Sequence, residues 1–355
     1  MKKNYRWGIL GAGNIASQFC AALAYTKGSH LFAVASREFS KAKNFAEKNN
    51  IQKYYSSYDQ LVNDADVDIV YIATPHAFHY QHALLCLKHG KHVLCEKPLT
   101  LSYAQSAALV DLAMEKNLFF MEAMWTSCIP SINKILYLIK NDVIGTVQYI
   151  QSDFGFQVPF DAESRMYNKS LGGGSLLDIG VYPIFLSTLI LGEPVEIQSV
   201  SKLAETGVDY FTNIVLKYEN GATAHLLSSF DFQTPVEAMI VGSKATIFIE
   251  SPWYKATNFT VKFNDSTIEE FSAPHLCNGF EYEIAEVMLC LDNGLLQSVK
   301  MPHAQTLAVA RVVDQILLKA GIQYPSALLS LQTNTLSVKQ APQAKIDNSS
   351  TDFWW

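Results

Sequence analysis

Residues 2–16, KKNYRWGILGAGNIA, place an apolar strand, a glycine turn and the start of a helix in immediate succession. The turn reads Gly11-Ala-Gly13-Asn14-Ile15-Ala16, a G-x-G-x-x-A pattern. Gly11 permits the tight turn out of the strand, Gly13 lets backbone approach a pyrophosphate, and Ala16 lets the helix sit close to the sheet. The helix opens at Asn14 and Ile15, so free N–H groups face the phosphates with the positive end of the helix dipole behind them. Glycine turns follow strands in many folds. The position here, at the N-terminus between a strand and a helix, favours dinucleotide binding over a purely structural turn.

A chain of 355 residues, 49% hydrophobic and 17% charged, is long enough for two domains with sizeable cores. The net charge of −6, with no long basic run, argues against a nucleic-acid partner. Cys20, Cys86, Cys95, Cys128, Cys277 and Cys290 are scattered without a C-x-x-C pair, which suits reduced, buried thiols of a cytoplasmic protein. Lys2 and Lys3 lead into a strand rather than a signal-peptide core. No run of about 18 apolar residues is present, so no membrane span is expected.

The chain then alternates. Apolar strands are expected at 31–36, 68–74, 92–95 and 118–121, separated by helices at 15–25, 40–49 (opened by an N-capping Ser40), 58–63, 79–89 and 102–116. Continuous apolar strands alternating with helices specify a parallel sheet covered on both faces, so residues 1–123 read as a Rossmann-type α/β domain. From Val147 the pattern shifts to long alternating strands joined by hairpin signals such as Glu219-Asn220-Gly221. Residues 124–327 therefore read as an α+β domain with a large, mostly antiparallel sheet. A sheet with only one face covered by helices favours a homo-oligomer, a dimer or higher. Residues 328–355 are polar and aperiodic and read as a poorly ordered tail.

Three places carry chemistry. At the end of the second strand, where NAD-binding domains set an acid for the ribose hydroxyls, this chain has Ser36 and Arg37. A hydroxyl and a guanidinium suit a 2′-phosphate, which favours NADP over NAD; the adjacent Glu38 keeps NAD open. Glu96-Lys97-Pro98 follows a parallel strand directly, and ligands of open α/β sheets sit at such strand ends, so Lys97 is read as a site residue rather than a solvated lysine. In Gly172-Gly-Gly-Ser-Leu-Leu-Asp178-Ile-Gly-Val-Tyr182, Asp178 and Tyr182 share one helix face. Tyr182 with Lys97 is a plausible proton-transfer couple. Core packing of Tyr182 and helix capping by Asp178 fit the spacing equally well. His76, His79 and His82 recur every third residue, which raises a metal reading, but the first lies in a loop and no metal is expected.

Together the N-terminal GxGxxA, Val93-Leu-Cys-Glu96-Lys97-Pro98 and GGG-x-x-x-Asp178-x-x-x-Tyr182 resemble the Gfo/Idh/MocA oxidoreductases over roughly residues 5–326. Tyr182, where many members carry His, and Glu122-Ala-Met-Trp125 look like the branch of trans-1,2-dihydrobenzene-1,2-diol and NADP-dependent D-xylose dehydrogenases. Met301-Pro-His303 and Gly321-Ile-Gln-Tyr324-Pro point the same way. Ser127 departs from that branch, where Arg is expected, and is read as altering a contact near the pocket mouth. The resemblance implies hydride transfer between nicotinamide and a carbinol carbon of a sugar or cyclic vicinal diol. It implies that Lys97 and Tyr182 handle the hydroxyl proton and that Asp178 orients the substrate. Thr74, Pro75, His79 and Glu96 become cofactor-side contacts, and Trp125 and Phe154 line the substrate pocket; Trp253 is read, outside the family's pattern, as a further aromatic of that pocket. A cofactor-sensing regulator on the same fold is the rival, disfavoured because a sensor needs no proton relay.

Overall fold

The computed structural model describes residues 4–331; most of the expected tail, from residue 332 on, lies outside them. The first sheet runs β1 Tyr5–Leu10, β2 Ser29–Ala35, β3 Lys53–Tyr55, β4 Ile69–Ile72, β5 His92–Glu96 and β6 Phe120–Ala123. Its order is β3-β2-β1-β4-β5-β6, with every pairing parallel. β4 and β6 are buried at every position and β5 at all but its first residue, because helices cover both faces. The strand order reverses between β1 and β4, which opens a crevice above the carboxyl ends of the strands.

The second sheet contains β7 Val147–Gly155, β8 Glu196–Leu203, β9 Asp209–Lys217, β10 Thr223–Ser229, β11 Ala238–Gly242, β12 Ala245–Ile249, β13 Asn258–Phe263 and β14 Ile268–Ser272. Its order is β14-β13-β12-β11-β7-β10-β9-β8, antiparallel except where β10 pairs with β7. Its inward side chains, such as Ile150, Leu226, Ile240 and Ile247, are fully buried or nearly so. The opposite face carries a row in register, Phe248, Met239, Gln151, His225 and Val215, that none of the described residues covers completely.

Differences from expectation are local. The helix expected from Ser40 begins at Phe39, with Glu38 at the cap position and its carbonyl accepting from Ala42 N–H. β3 and β14 escape a sequence reading because both are short edge strands with mixed polarity. The helix Ser326–Leu329 occupies the start of the segment expected to be tail. The stretch Lys169–Leu191 is long and apolar enough to cross a membrane by composition, yet 83% of its most apolar window is buried inside the protein. Its helix packs against His303–Lys319 as a core element.

Candidate active site

A cleft of about 540 Å³ follows the crevice from Gly11 to Asp178. At one end, Gly11 has φ +100°, and a Cβ there would lie 2.7 Å from the Ala73 carbonyl oxygen. Only glycine fits that turn. Gly13 occupies the N-cap of helix Asn14–Leu23, with no side chain capping it and nothing within 4 Å of a Cβ placed on it. The first N–H groups of the helix, at Asn14 and Ile15, thus open onto free space suited to phosphate. Ser36 and Arg37 line the same end, and Arg37 lies over the Phe78 ring at 5.6 Å. Lys41, one helical turn further, also lines the cleft and pairs with Glu38 at 2.7 Å. The Glu38 carboxylate, the candidate ribose acid, is therefore already engaged by a cation.

At the other end, β5 delivers Glu96 and Lys97. The Glu96 carboxylate accepts from the Tyr71 hydroxyl and, at 3.2 Å, from Lys97 N–H. Burial raises its carboxyl above the usual range. The Lys97 ammonium donates to the backbone carbonyl of Asp178 and lies 3.3 Å from its carboxylate. Asp178 sits on a single wide π-turn, Leu176–Gly180, that leads into the helix Val181–Leu191. Arg165 reaches the same carboxylate oxygen at 3.1 Å, with His76 Nε2 at 3.7 Å. Burial alone would raise the Asp178 carboxyl, but Lys97, Arg165 and His76 outweigh it and hold the group far below its ordinary value. Burial pushes the His76 imidazole down to about 3, so near neutral pH it is an uncharged neighbour.

Tyr182 lies behind this cluster. Its ring is 5.0 Å from Lys97 Nζ, and its hydroxyl accepts a 3.1 Å hydrogen bond from Trp125 Nε1. Phe154 and Tyr254 stack at 4.4 Å and flank the Tyr182 ring at 5.6 and 5.3 Å. Burial, reinforced by the Glu96 charge, raises the Tyr182 hydroxyl well above 10, while the Trp125 bond acts the other way. Lys97 and Tyr182 are brought together without a hydrogen bond between ammonium and hydroxyl among the described residues. The ammonium faces the ring rather than the hydroxyl, because Asp178 holds it one turn away.

Other positions also shift. Trp253 is fully buried and donates to the Asp153 carbonyl at 2.8 Å, so it is core; the next residue, Tyr254, faces the site instead. Ser127 is 1% exposed, its hydroxyl against Cys128 Sγ, and lies away from the cleft mouth. Thr74 and Pro75 line the cleft as expected. His79, also in its wall, is itself buried, its ring nitrogens 2.7 Å from the Thr74 carbonyl and 2.8 Å from the Pro98 carbonyl. It ties the Thr74 and Pro98 loops together. His82 bonds Thr74 Oγ1 and His76 bonds the Gly172 carbonyl, so each of the three imidazoles is engaged with a different protein atom. Gly172, at φ +77°, lets the glycine run pack on His76, where a Cβ would come within 2.9 Å. Lys41 was within reach of the sequence as a basic residue one turn after Arg37. Arg165, in an irregular segment without a motif, offered no signal.

Comparison with known proteins gives concordant results. A family model described as an oxidoreductase family with an NAD-binding Rossmann fold matches residues 5–124, and a GFO/IDH/MocA C-terminal domain matches 132–248. Trans-1,2-dihydrobenzene-1,2-diol dehydrogenase of Xenopus tropicalis is 36% identical, covering 90% of this chain and 99% of that protein. The Homo sapiens enzyme is 32% identical, covering 90% and 98%. An aldose-aldose oxidoreductase from Caulobacter crescentus superposes with TM-score 0.81 at 25% identity, over 90% of this chain and 98% of the other. A 3-ketoreductase from Actinomadura kijaniata, solved with NADP, gives 0.80 at 27%, over 89% and 98%. The chain is an oxidoreductase of the Gfo/Idh/MocA family, related to dihydrodiol dehydrogenases and sugar oxidoreductases.

Proposed function

We propose that the protein is an NADP-dependent oxidoreductase that transfers hydride between nicotinamide and a carbinol carbon of a sugar or cyclic vicinal diol. The observation that carries this reading is the convergence of Lys97 and Asp178 at the end of a cleft, with the buried Tyr182 ring directly behind Lys97, while the other end offers open space suited to phosphate. Arg37 and Lys41, with Ser36, fit a 2′-phosphate, and Glu38 is held by Lys41 rather than free for a ribose. The open space over Gly13 fits a pyrophosphate. Bound NADP(H) supplies the hydride. Asp178, held ionised, accepts hydrogen bonds from substrate hydroxyls and orients the ring. Lys97 places a cation beside the reacting oxygen, and Tyr182 exchanges the hydroxyl proton. Trp125, Phe154 and Tyr254 form the aromatic wall around that proton.

The incompletely covered face of the large sheet suits a homo-oligomer. Six free thiols, five of them buried, suit a reducing compartment such as the cytoplasm. The test is fluorescence titration with NADPH and NADH, followed by turnover with D-xylose and with a cyclic trans-diol. Tighter NADPH binding with turnover of either substrate is the expected result. Binding without turnover of any polyol or ketose would replace the enzyme reading with a cofactor sensor.

A further inference from the structure

The Tyr182 hydroxyl has two roles open to it in a hydrogen bond, donor or acceptor. The indole Nε1–H of Trp125 has only one, because it carries a proton and no accepting lone pair. At 3.1 Å the direction of the bond is therefore fixed: Trp125 donates and Tyr182 Oη accepts. Among the described residues this is the hydroxyl's one hydrogen bond. The phenol's own proton must point elsewhere, away from the indole.

Trp125 is well placed to hold that direction. It follows β6 directly in the short turn Trp125–Cys128, is 8% exposed, and packs on Phe280 with ring centroids 4.5 Å apart. The preceding residue, Gly279, also lies against the indole, where a Cβ would stand 3.1 Å from it. A donor fixed by packing before reaction costs no reorganisation when charge appears on its partner. Lys97 Nζ, 5.0 Å from the Tyr182 ring centroid, adds a cation on the ring face.

We propose that Trp125 is a positioning residue whose indole N–H aims the Tyr182 proton into the site and holds the phenolate that remains once the proton has left. The proposal rests on the hydride-transfer reading above. In the reductive direction the substrate carbonyl carbon gains the hydride supplied by NADPH. The C=O π pair then takes up the Tyr182 proton, and the O–H bonding pair stays on Tyr182 as phenolate. Trp125 stabilises that anion. In the oxidative direction the same bond stabilises the phenolate that accepts the carbinol proton. Removing the donor therefore raises the Tyr182 pKa in both directions.

The test uses the whole protein with Trp125→Phe and with 3-benzothienylalanine at position 125, which keeps the indole shape and lacks the N–H. Both variants are expected to move the limb of the kcat profile that Tyr182 sets, the alkaline limb in reduction and the acid limb in oxidation, upward by about one pH unit or more. Turnover should fall at least tenfold while NADPH affinity is retained. An unmoved limb in an active benzothienyl variant overturns the proposal and leaves the function reading intact. A second readout needs no turnover. With tryptophan labelled by 15N at the indole nitrogen, five indole signals are expected, and the one lost in Trp125→Phe should move upfield in Tyr182→Phe. If it does not move, the bond is absent and the proposal fails, whether or not the enzyme turns over any polyol.

Discussion

The two ends of the cleft are built on opposite principles. The Gly11 end is drawn from three consecutive pieces of one domain, residues 11–15, 36–41 and 74–79, and presents backbone N–H groups and largely exposed cations. The Lys97 end is assembled from residues far apart in sequence, Lys97, Trp125, Phe154, Arg165, Asp178, Tyr182 and Tyr254; Trp125, Asp178 and Tyr182 are buried, and only Arg165 is exposed. Charge at the first end stays in water, beside backbone donors already in place. At the second, charge is taken out of water and must be paired, which is why Asp178 is held down and Tyr182 pushed up. A binding end can be made locally, whereas an end that moves protons needs the dry interior that only tertiary packing provides.

The sharpest test of that division is Tyr182→Phe. It removes the proposed proton donor and leaves the ring in its contacts with Phe154 and Tyr254. We expect kcat to fall by about 10²–10⁴-fold with NADPH affinity within a factor of two, and Lys97→Met to act in the same way. Loss of NADPH binding in Tyr182→Phe would break the comparison, because the two ends would then act as one unit.

Glu122 probes the buried charge behind the Lys97 end. Near the carboxyl end of β6, its carboxylate accepts from Leu99 N–H at 2.9 Å, just past Pro98. Burial raises its carboxyl from 4.5 to about 7. The raised value means that the folded state prefers the protonated form. Its stability contribution is whole below about pH 4.5 and is lost as pH rises through about 7. Wild type should lose up to about 3 kcal/mol more than Glu122→Gln between pH 4.5 and 8, by urea denaturation. Parallel curves would show that Glu122 keeps its ordinary ionisation.

Legibility in the sequence divides along the same line. The parallel sheet and the Gly11 turn were readable because strand, turn and helix are each encoded by a few adjacent residues with fixed backbone demands. Lys97 and Asp178 were readable as candidates because each sits in a short motif. Their mutual arrangement was not. Nothing in the spacing says that Lys97 faces the Tyr182 ring while Trp125 holds the hydroxyl, since residues 97, 125 and 182 meet only through packing between domains. Trp253 and Tyr254 make the point at the scale of one residue. Both are aromatic, the chain turns between them, and only the fold decides which enters the core.

At the Gly11 end the effects are expected to be smaller and confined to cofactor choice. Arg37→Ala removes a guanidinium whose bond to a phosphate is worth about 1.5–3 kcal/mol. NADPH should therefore bind about 10–100-fold more weakly, with NADH unchanged. An equal loss for both cofactors would mean that Arg37 grips something other than the 2′-phosphate.

Lys41 should matter least. It and Glu38 are 62% and 60% exposed, so their 2.7 Å pair contributes about 0–1 kcal/mol and Lys41→Ala should leave the melting temperature nearly unchanged. Its field still reaches the phosphate position, but through solvent, so NADPH affinity should fall only about two- to fivefold at low salt. That difference should vanish near 1 M salt, where the screening length shrinks to about 3 Å. A Lys41→Ala loss as large as that of Arg37→Ala, and persisting in high salt, would mean that the bound phosphate seals Lys41 away from water. The Gly11 end would then share the dry, paired-charge construction of the Lys97 end, and the contrast between the two would be one of degree.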